Sequence, residues 1–282
     1  MTILSAHAAK YHYRKNSSGY SSGVGPLSFE IQTGDFIIIT GGNGSGKSTL
    51  LKILDGSLDV QSGDIYLKGL STSISPIRKR KKLIARVFQD PSTGTVSDLS
   101  ILDNFRLASL RGGNFSLLKL SGKKFRKSVI AYLQQLDRGF EDLIDQHAAE
   151  LSGGQRQVLT VLMSLYCKPE VLLLDEPTAA LDAAMAEILL EILTKANKEH
   201  QVTVLMISHD LRTAVETGNR LLIMKEGMLM REINGAEKQA LSAEALFNIL
   251  YPCFSAPFIS LNSMPSFIIK SLFPVSTAVL KS

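Results

Sequence analysis

Phe36-Ile37-Ile38-Ile39-Thr40 is followed at once by Gly41-Gly42-Asn43-Gly44-Ser45-Gly46-Lys47-Ser48-Thr49 and then by Leu50-Leu51-Lys52-Ile53-Leu54. The first run is apolar and β-branched, which suits a strand buried on both faces. Residues 48–54 read as a helix, and strand, glycine loop, helix is the context that a phosphate-binding loop requires. The spacing Gly41-x-x-x-x-Gly46-Lys47-Ser48 matches the Walker A pattern in full. Glycines let the backbone fold tightly, so that successive N–H groups converge on phosphate oxygens. The helix behind them adds the positive end of its dipole. Candidate phosphate-binding residues are therefore Gly41, Gly42, Asn43, Gly44, Ser45, Gly46, Lys47, Ser48 and Thr49. Lys47 is expected to neutralise β- and γ-phosphate charge, and the Ser48 hydroxyl to ligate Mg²⁺.

Working outward, Val171-Leu172-Leu173-Leu174 is a second buried strand, and it ends on Asp175 and Glu176. Open α/β sheets place ligands at such carboxyl edges. Asp175 is the expected Mg²⁺ holder, and Glu176 the group that orients and polarises the attacking water. An apolar run ending in Asp-Glu is common on its own; the glycine loop gives it meaning.

The remaining texture fits an α/β core with an inserted helical block. Residues 27–31 alternate apolar and polar, 63–68 and 84–88 read as short strands, and helical periodicity dominates 99–111, 123–137 and 153–167. Strands return at 171–174 and 202–207 around a helix at 183–199, with further strands at 220–225 and 228–233 and a last helix at 242–250. The expected division is an ATPase domain over 1–250, with its helical insertion at about 92–165, and a tail over 251–282. The tail carries Pro252, Pro257, Pro265 and Pro274 and no acidic residue. Prolines at that spacing prevent a spanning helix. A loose appendage and a non-native extension of the reading frame both fit it.

Composition bounds the class. The 282 residues suffice for a sizeable core, and 45% hydrophobic with 20% charged residues is ordinary for a globular protein. No apolar stretch is long enough for a transmembrane helix, and a secretory leader is not expected. The two cysteines, Cys167 and Cys253, give neither a disulfide framework nor paired metal ligands. Cys167 reads as a buried, inert thiol. The net charge of +5 gathers in Arg78-Lys79-Arg80-Lys81-Lys82 and around Lys119, Lys123, Lys124, Arg126 and Lys127. Both clusters read first as solvated faces, then as contacts for a membrane or membrane partner, and least as nucleic-acid sites.

Leu151-Ser152-Gly153-Gly154-Gln155 decides between families. Physically it is a helix start: Ser152 can cap, and the glycines allow close backbone approach. Its position, 20 residues before Asp175, closely resembles the signature sequence of ABC ATPases. Over roughly residues 10 to 250 the chain resembles an ABC transporter ATP-binding subunit.

That resemblance implies further roles. Phe88-Gln89-Asp90-Pro91 resembles the Q-loop, with Gln89 sensing Mg²⁺ and the γ-phosphate. Pro177-Thr178-Ala179-Ala180-Leu181-Asp182 resembles the approach to the D-loop, with Asp182 reaching across a dimer interface. Ile207-Ser208-His209-Asp210 resembles the switch region, with His209 at the γ-phosphate. Tyr13 is the candidate for stacking on adenine, with Tyr11 and Tyr20 as rivals. In the family, ATP lies between the Walker A loop of one protomer and the signature loop (here Ser152, Gly153, Gly154 and Gln155) of another. Looser matches, among them Gly34-Asp35-Phe36, Gly94-Thr95 and Gly218-Asn219-Arg220-Leu221, resemble ATPases of importers for amino-acid-like substrates. The implied partners are a second ATPase subunit, with a homodimer expected and a heterodimer open, membrane permease subunits and a solute-binding protein. No nucleic acid is expected, and the implied location is the cytoplasmic face of the cell membrane. The competing readings are a soluble ABC ATPase acting on nucleic acid or ribosomes, and a P-loop kinase or GTPase, which the signature loop disfavours.

Overall fold

The structure, a computed structural model, describes residues 1–13, 23–72, 77–111, 122–136 and 138–252. The chain opens with two long strands, β1 (Thr2–His12) and β2 (Gly23–Gln32), and reaches the glycine loop through β3 (Phe36–Thr40). Helix α1 (Lys47–Leu54) follows that loop, then β4 (Ser62–Leu67) and β5 (Leu70–Ser71). Helix α2 (Ile77–Leu83) carries the first basic run into β6 (Ile84–Val87). The helical block contributes α3 (Ile101–Arg111), α4 (Lys123–Gln134) and α5 (Gly153–Tyr166). Strand β7 (Val171–Leu174), helix α6 (Ala183–His200), strand β8 (Thr203–Ile207) and helix α7 (Leu211–Glu216) follow. The described chain ends with β9 (Arg220–Lys225), β10 (Met228–Asn234), α8 (Gly235–Gln239) and α9 (Ala243–Leu250).

Two sheets result. One is antiparallel, in the order β2-β1-β4-β5, and the other runs β10-β9-β3-β8-β7-β6. In the second, β9, β3, β8, β7 and β6 are parallel and β10 closes the edge antiparallel. The parallel strands all deliver their carboxyl ends to one edge, where the glycine loop also starts.

The apolar runs seen in the sequence are strands that feed two cores at once. Phe36 and Ile38 of β3, Leu172 and Leu174 of β7, and Val204 and Met206 of β8 face the helices α3 to α7 and α9. Their neighbours Ile37, Ile39, Val171, Leu173, Leu205 and Ile207 face the antiparallel sheet and α1. Alternate residues of a strand point to opposite faces, so a strand with both faces covered must be apolar throughout. Each fully buried Leu or Ile among them stabilises the fold by about 1.5–3 kcal/mol.

Three expectations need correction. The basic run is a helix, and Arg80 is not a solvated residue: it is buried, with its guanidinium lying over Gly56. The absent side chain at Gly56 makes room for it, since a Cβ there would lie 2.2 Å from Arg80 Nη1. Cys167 caps the end of α5 half-buried rather than buried, its thiol directed at the carbonyl of Ala108. Strand β1 and the short helices α7 and α8 add elements that the periodicity did not mark. In the second basic cluster, Lys123, Lys124 and Lys127 are exposed as expected and Arg126 pairs with Asp145. Lys119, Tyr20, Cys253 and the tail from 253 onward lie outside the described residues.

Candidate nucleotide site

The glycine loop makes the first wall. At Gly41 (φ 149°) a Cβ would meet the Met224 carbonyl oxygen at 2.1 Å, so only glycine closes this turn. Gly42 and Gly44 are the opposite case. A Cβ at either would meet nothing within 4 Å, which leaves an open cradle of backbone on the outer side of the loop. Lys47 is buried beneath it, its Nζ donating to the carbonyls of Gly41 and Gly42 at 2.9 Å each and to Ser45 Oγ at 3.4 Å. Burial pushes this ammonium below the usual lysine range, and the charges of Glu176 and Asp175 pull it back up. Ser45 is buried and its carbonyl accepts from Gly227, whereas Asn43 and Ser48 are exposed.

Helix α1 starts at Gly46 with no side-chain cap and no acidic residue in its first turn. By contrast, α5, α6, α7 and α9 are capped by Ser152, Asp182, Asp210 and Ser242. The unpaired N–H groups of α1 are thus left for an acceptor from outside the chain, and the dipole favours an anion.

The second wall comes from the carboxyl ends of β6, β7 and β8. Ser48 Oγ donates to Asp175 Oδ1 at 3.0 Å. Glu176 Oε1 lies 2.7 Å from His209 Nε2, a contact in which the imidazole N–H donates and the carboxylate accepts. Gln89 Nε2 donates to Glu176 Oε2 at 3.4 Å. The His209 hydrogen bond holds Glu176 below the usual carboxylate range against its partial burial, helped by the charges of His209 and Lys47. Among the described residues no group of three or more His, Cys, Asp or Glu gathers as a protein-only metal site. One hydroxyl beside one carboxylate, with phosphate oxygens from a ligand, is instead the donor set that suits Mg²⁺.

The signature residues hydrogen-bond to one another at the start of α5. Ser152 Oγ accepts from Gln155 N–H at 3.2 Å and Gln155 Oε1 accepts from Ser152 N–H at 3.0 Å, a reciprocal capping box. Among the described residues no hydrogen bond joins 152–155 to 41–49. A Cβ at Gly153 would meet nothing within 4 Å, while one at Gly154 would touch Met185 and Leu181. Asp182 caps α6 by accepting from Met185 N–H. Tyr13 Oη lies 3.3 Å from Thr49 Oγ1, and its ring meets Tyr11 edge-on at 5.0 Å. That places Tyr13 beside the glycine-loop helix, while Tyr11 packs on the core beneath.

Sequence reasoning passed over Arg86, Asp55 and Gln157. Gln157 Nε2 donates to the Phe88 carbonyl at 3.2 Å, tying α5 to the chain just before Gln89. Arg86 bridges Asp55 and Asp175 by ion pairs of 2.8 and 3.0 Å. The available signal was an arginine inside the apolar strand Ile84-Ala85-Arg86-Val87, because a buried charge demands a partner.

A glycine loop between strand and helix, with a carboxylate pair two strands away on the same edge, defines a P-loop nucleotide-binding protein. The profile of the family described as ABC transporter matches residues 24–179, more than half of the chain, and the chain belongs to that family. It binds and hydrolyses ATP and energises a membrane ABC transporter. The chain is 36% identical over 220 residues to the tyrosine transport ATP-binding protein of Clostridioides difficile, covering 78% of this chain and 87% of that one. It is 35% identical over 217 residues to the phosphonates import ATP-binding protein of Hyphomonas neptunium, covering 75% and 82%. Among solved structures, a dimeric ATP-binding cassette in a post-hydrolysis state with ADP and Pi superposes with a TM-score of 0.72 at 26% identity, covering 82% of this chain and 98% of that one. A subunit of a Clostridium perfringens ABC transporter complex superposes at 0.71 and 29% identity, covering 89% and 96%. Among the described residues no helix is long and apolar enough to cross a membrane.

Proposed function

We propose that this chain is one half of a paired ATPase that drives import, and that residues 1–250 form its working unit around the helical insertion at about 92–165. The observation that carries the reading is the arrangement after β7: Asp175 meets the Ser48 hydroxyl while Glu176 lies between His209 and Gln89. In this reading Gly41, Gly42, Asn43, Gly44, Ser45, Gly46, Lys47 and Thr49 surround the phosphates and Tyr13 lies against the adenine. Ser48, Asp175 and Gln89 would hold Mg²⁺, which when bound neutralises charge developing on the transferred phosphoryl group. Glu176, kept ionised, accepts a hydrogen bond from the attacking water and orients it, and His209 fixes that carboxylate. Ser152, Gly153, Gly154 and Gln155 of a second copy complete the site across a two-fold axis, the isologous arrangement of most dimers.

Relatives whose names specify import, together with the tyrosine transport relative, support an importer for an amino-acid-like solute. Permease subunits, a solute-binding protein and a peripheral position on the cytoplasmic face of the membrane follow from that. The test is Glu176→Gln. ATP binding should persist, turnover should fall by roughly 10²–10⁴-fold, and an ATP-dependent dimer should accumulate in light scattering. Turnover equal to that of the unmodified chain would reject the role of Glu176. Copurification in mild detergent should recover a permease, and recovery of ribosomes instead would reject the transport reading.

A further inference from the structure

Strand β6 holds a charged residue where its pattern calls for an apolar one. Ile84 and Arg86 share one face of the strand, and Ile84 belongs to the core that contains α1. The Arg86 side chain is only 7% exposed. Its Nη1 donates to Asp55 Oδ2 at 2.8 Å and its Nη2 to Asp175 Oδ2 at 3.0 Å. The Phe88 ring lies against the guanidinium, 4.9 Å from Cζ to ring centre, and Nε is buried with no hydrogen-bond partner. A planar, rigid fork fixes the direction of the carboxylates it meets, which a flexible ammonium does not.

Asp55 is the residue that caps the end of α1. Asp175 is therefore held at both oxygens by the glycine-loop helix: Oδ1 by Ser48 in the first turn, and Oδ2 through Arg86 by the far end. We infer that Arg86 is a positioning residue that fixes the orientation of Asp175 before nucleotide arrives, leaving Oδ1 turned toward Ser48 and the cation. This rests on the reading that Asp175 holds the cation. Arg86 touches neither nucleotide nor metal in this role. It acts through Asp175, as partners behind a metal ligand commonly do.

The experiment titrates MgCl₂ against binding of a fluorescent ATP analogue, with EDTA as the metal-free arm. Arg86→Met should raise the half-saturating Mg²⁺ concentration about 10-fold and leave metal-free affinity for the analogue unchanged. Arg86→Lys should recover part of that loss. Because Arg86→Met strands two buried carboxylates, the double variant Arg86→Met with Asp55→Asn removes one of them and should show the same Mg²⁺ shift in a chain that folds. Asp175→Asn is the control for the underlying reading and should raise the requirement at least as far. If Asp175→Asn raises it while Arg86→Met and the double variant both match the unmodified chain or need less Mg²⁺, the inference about Arg86 is overturned, whatever their melting temperatures. If Asp175→Asn itself changes nothing, the assignment of Asp175 falls and the inference falls with it.

Discussion

Gly153 offers a perturbation whose effects on folding and on assembly separate cleanly. It is the first residue of α5, its φ is not positive, and a Cβ built there meets nothing within 4 Å. Gly153→Ala should therefore leave the single copy as stable as before, or up to about 1 kcal/mol more stable, since alanine is the better helix former. The Ser152–Gln155 capping box uses only side-chain and backbone groups that the methyl does not touch. If the exposed N–H groups of this turn face the phosphates of ATP on a second copy, the methyl occupies that narrow space. Losing one hydrogen bond to a charged group costs about 1.5–3 kcal/mol, which converts to roughly 10- to 150-fold weaker ATP-dependent association. Gly153→Asp should weaken it further through charge repulsion. The assay is sedimentation velocity with Mg²⁺ and ATP in the Glu176→Gln background, alongside thermal unfolding without nucleotide. An unchanged melting temperature with an unchanged dimer fraction would refute the assignment of 152–155 as the opposite wall. Gly154→Ala is less informative, because its Cβ would sit 3.2 Å from Met185 Cγ.

Lys47→Ala removes a buried ammonium that binds two backbone carbonyls; equilibrium titration should show at least about 10-fold weaker ATP binding, and unaltered affinity would count against the phosphate role. Tyr13→Ala should weaken ATP by about 1–3 kcal/mol, the range for a base stacked on an aromatic ring, whereas Tyr13→Phe should retain it. Equal affinities for all three chains would leave the ring a packing residue against Tyr11 and Thr49.

The parts legible in the sequence were those whose physics is local. Strands β3, β7 and β8 carry apolar residues at every step because both faces are covered, so they read without any knowledge of their neighbours. The glycine loop and the capping box are likewise short-range patterns. Strand β1 was missed because Ala6-His7-Ala8-Ala9-Lys10 mixes small and polar residues, and its pairing partners lie in β2 and β4. Helix α2 was missed because five basic residues in a row mask any periodicity. The Arg86 bridge was missed for a different reason: its partners lie 31 and 89 positions away, and only the sheet brings them together.

Glu176 has a left-handed backbone (φ 50°), which glycine adopts more readily than any residue with a Cβ, and it is followed by Pro177, which narrows its backbone further. Such a conformation costs about 1–3 kcal/mol, and glycine would relax it. A library screened only for heat resistance should thus drift toward losing this side chain, while one screened for turnover should keep it. A conflict between endurance and activity is thus confined to a single peptide unit, at the tip of a strand that is otherwise pure hydrocarbon.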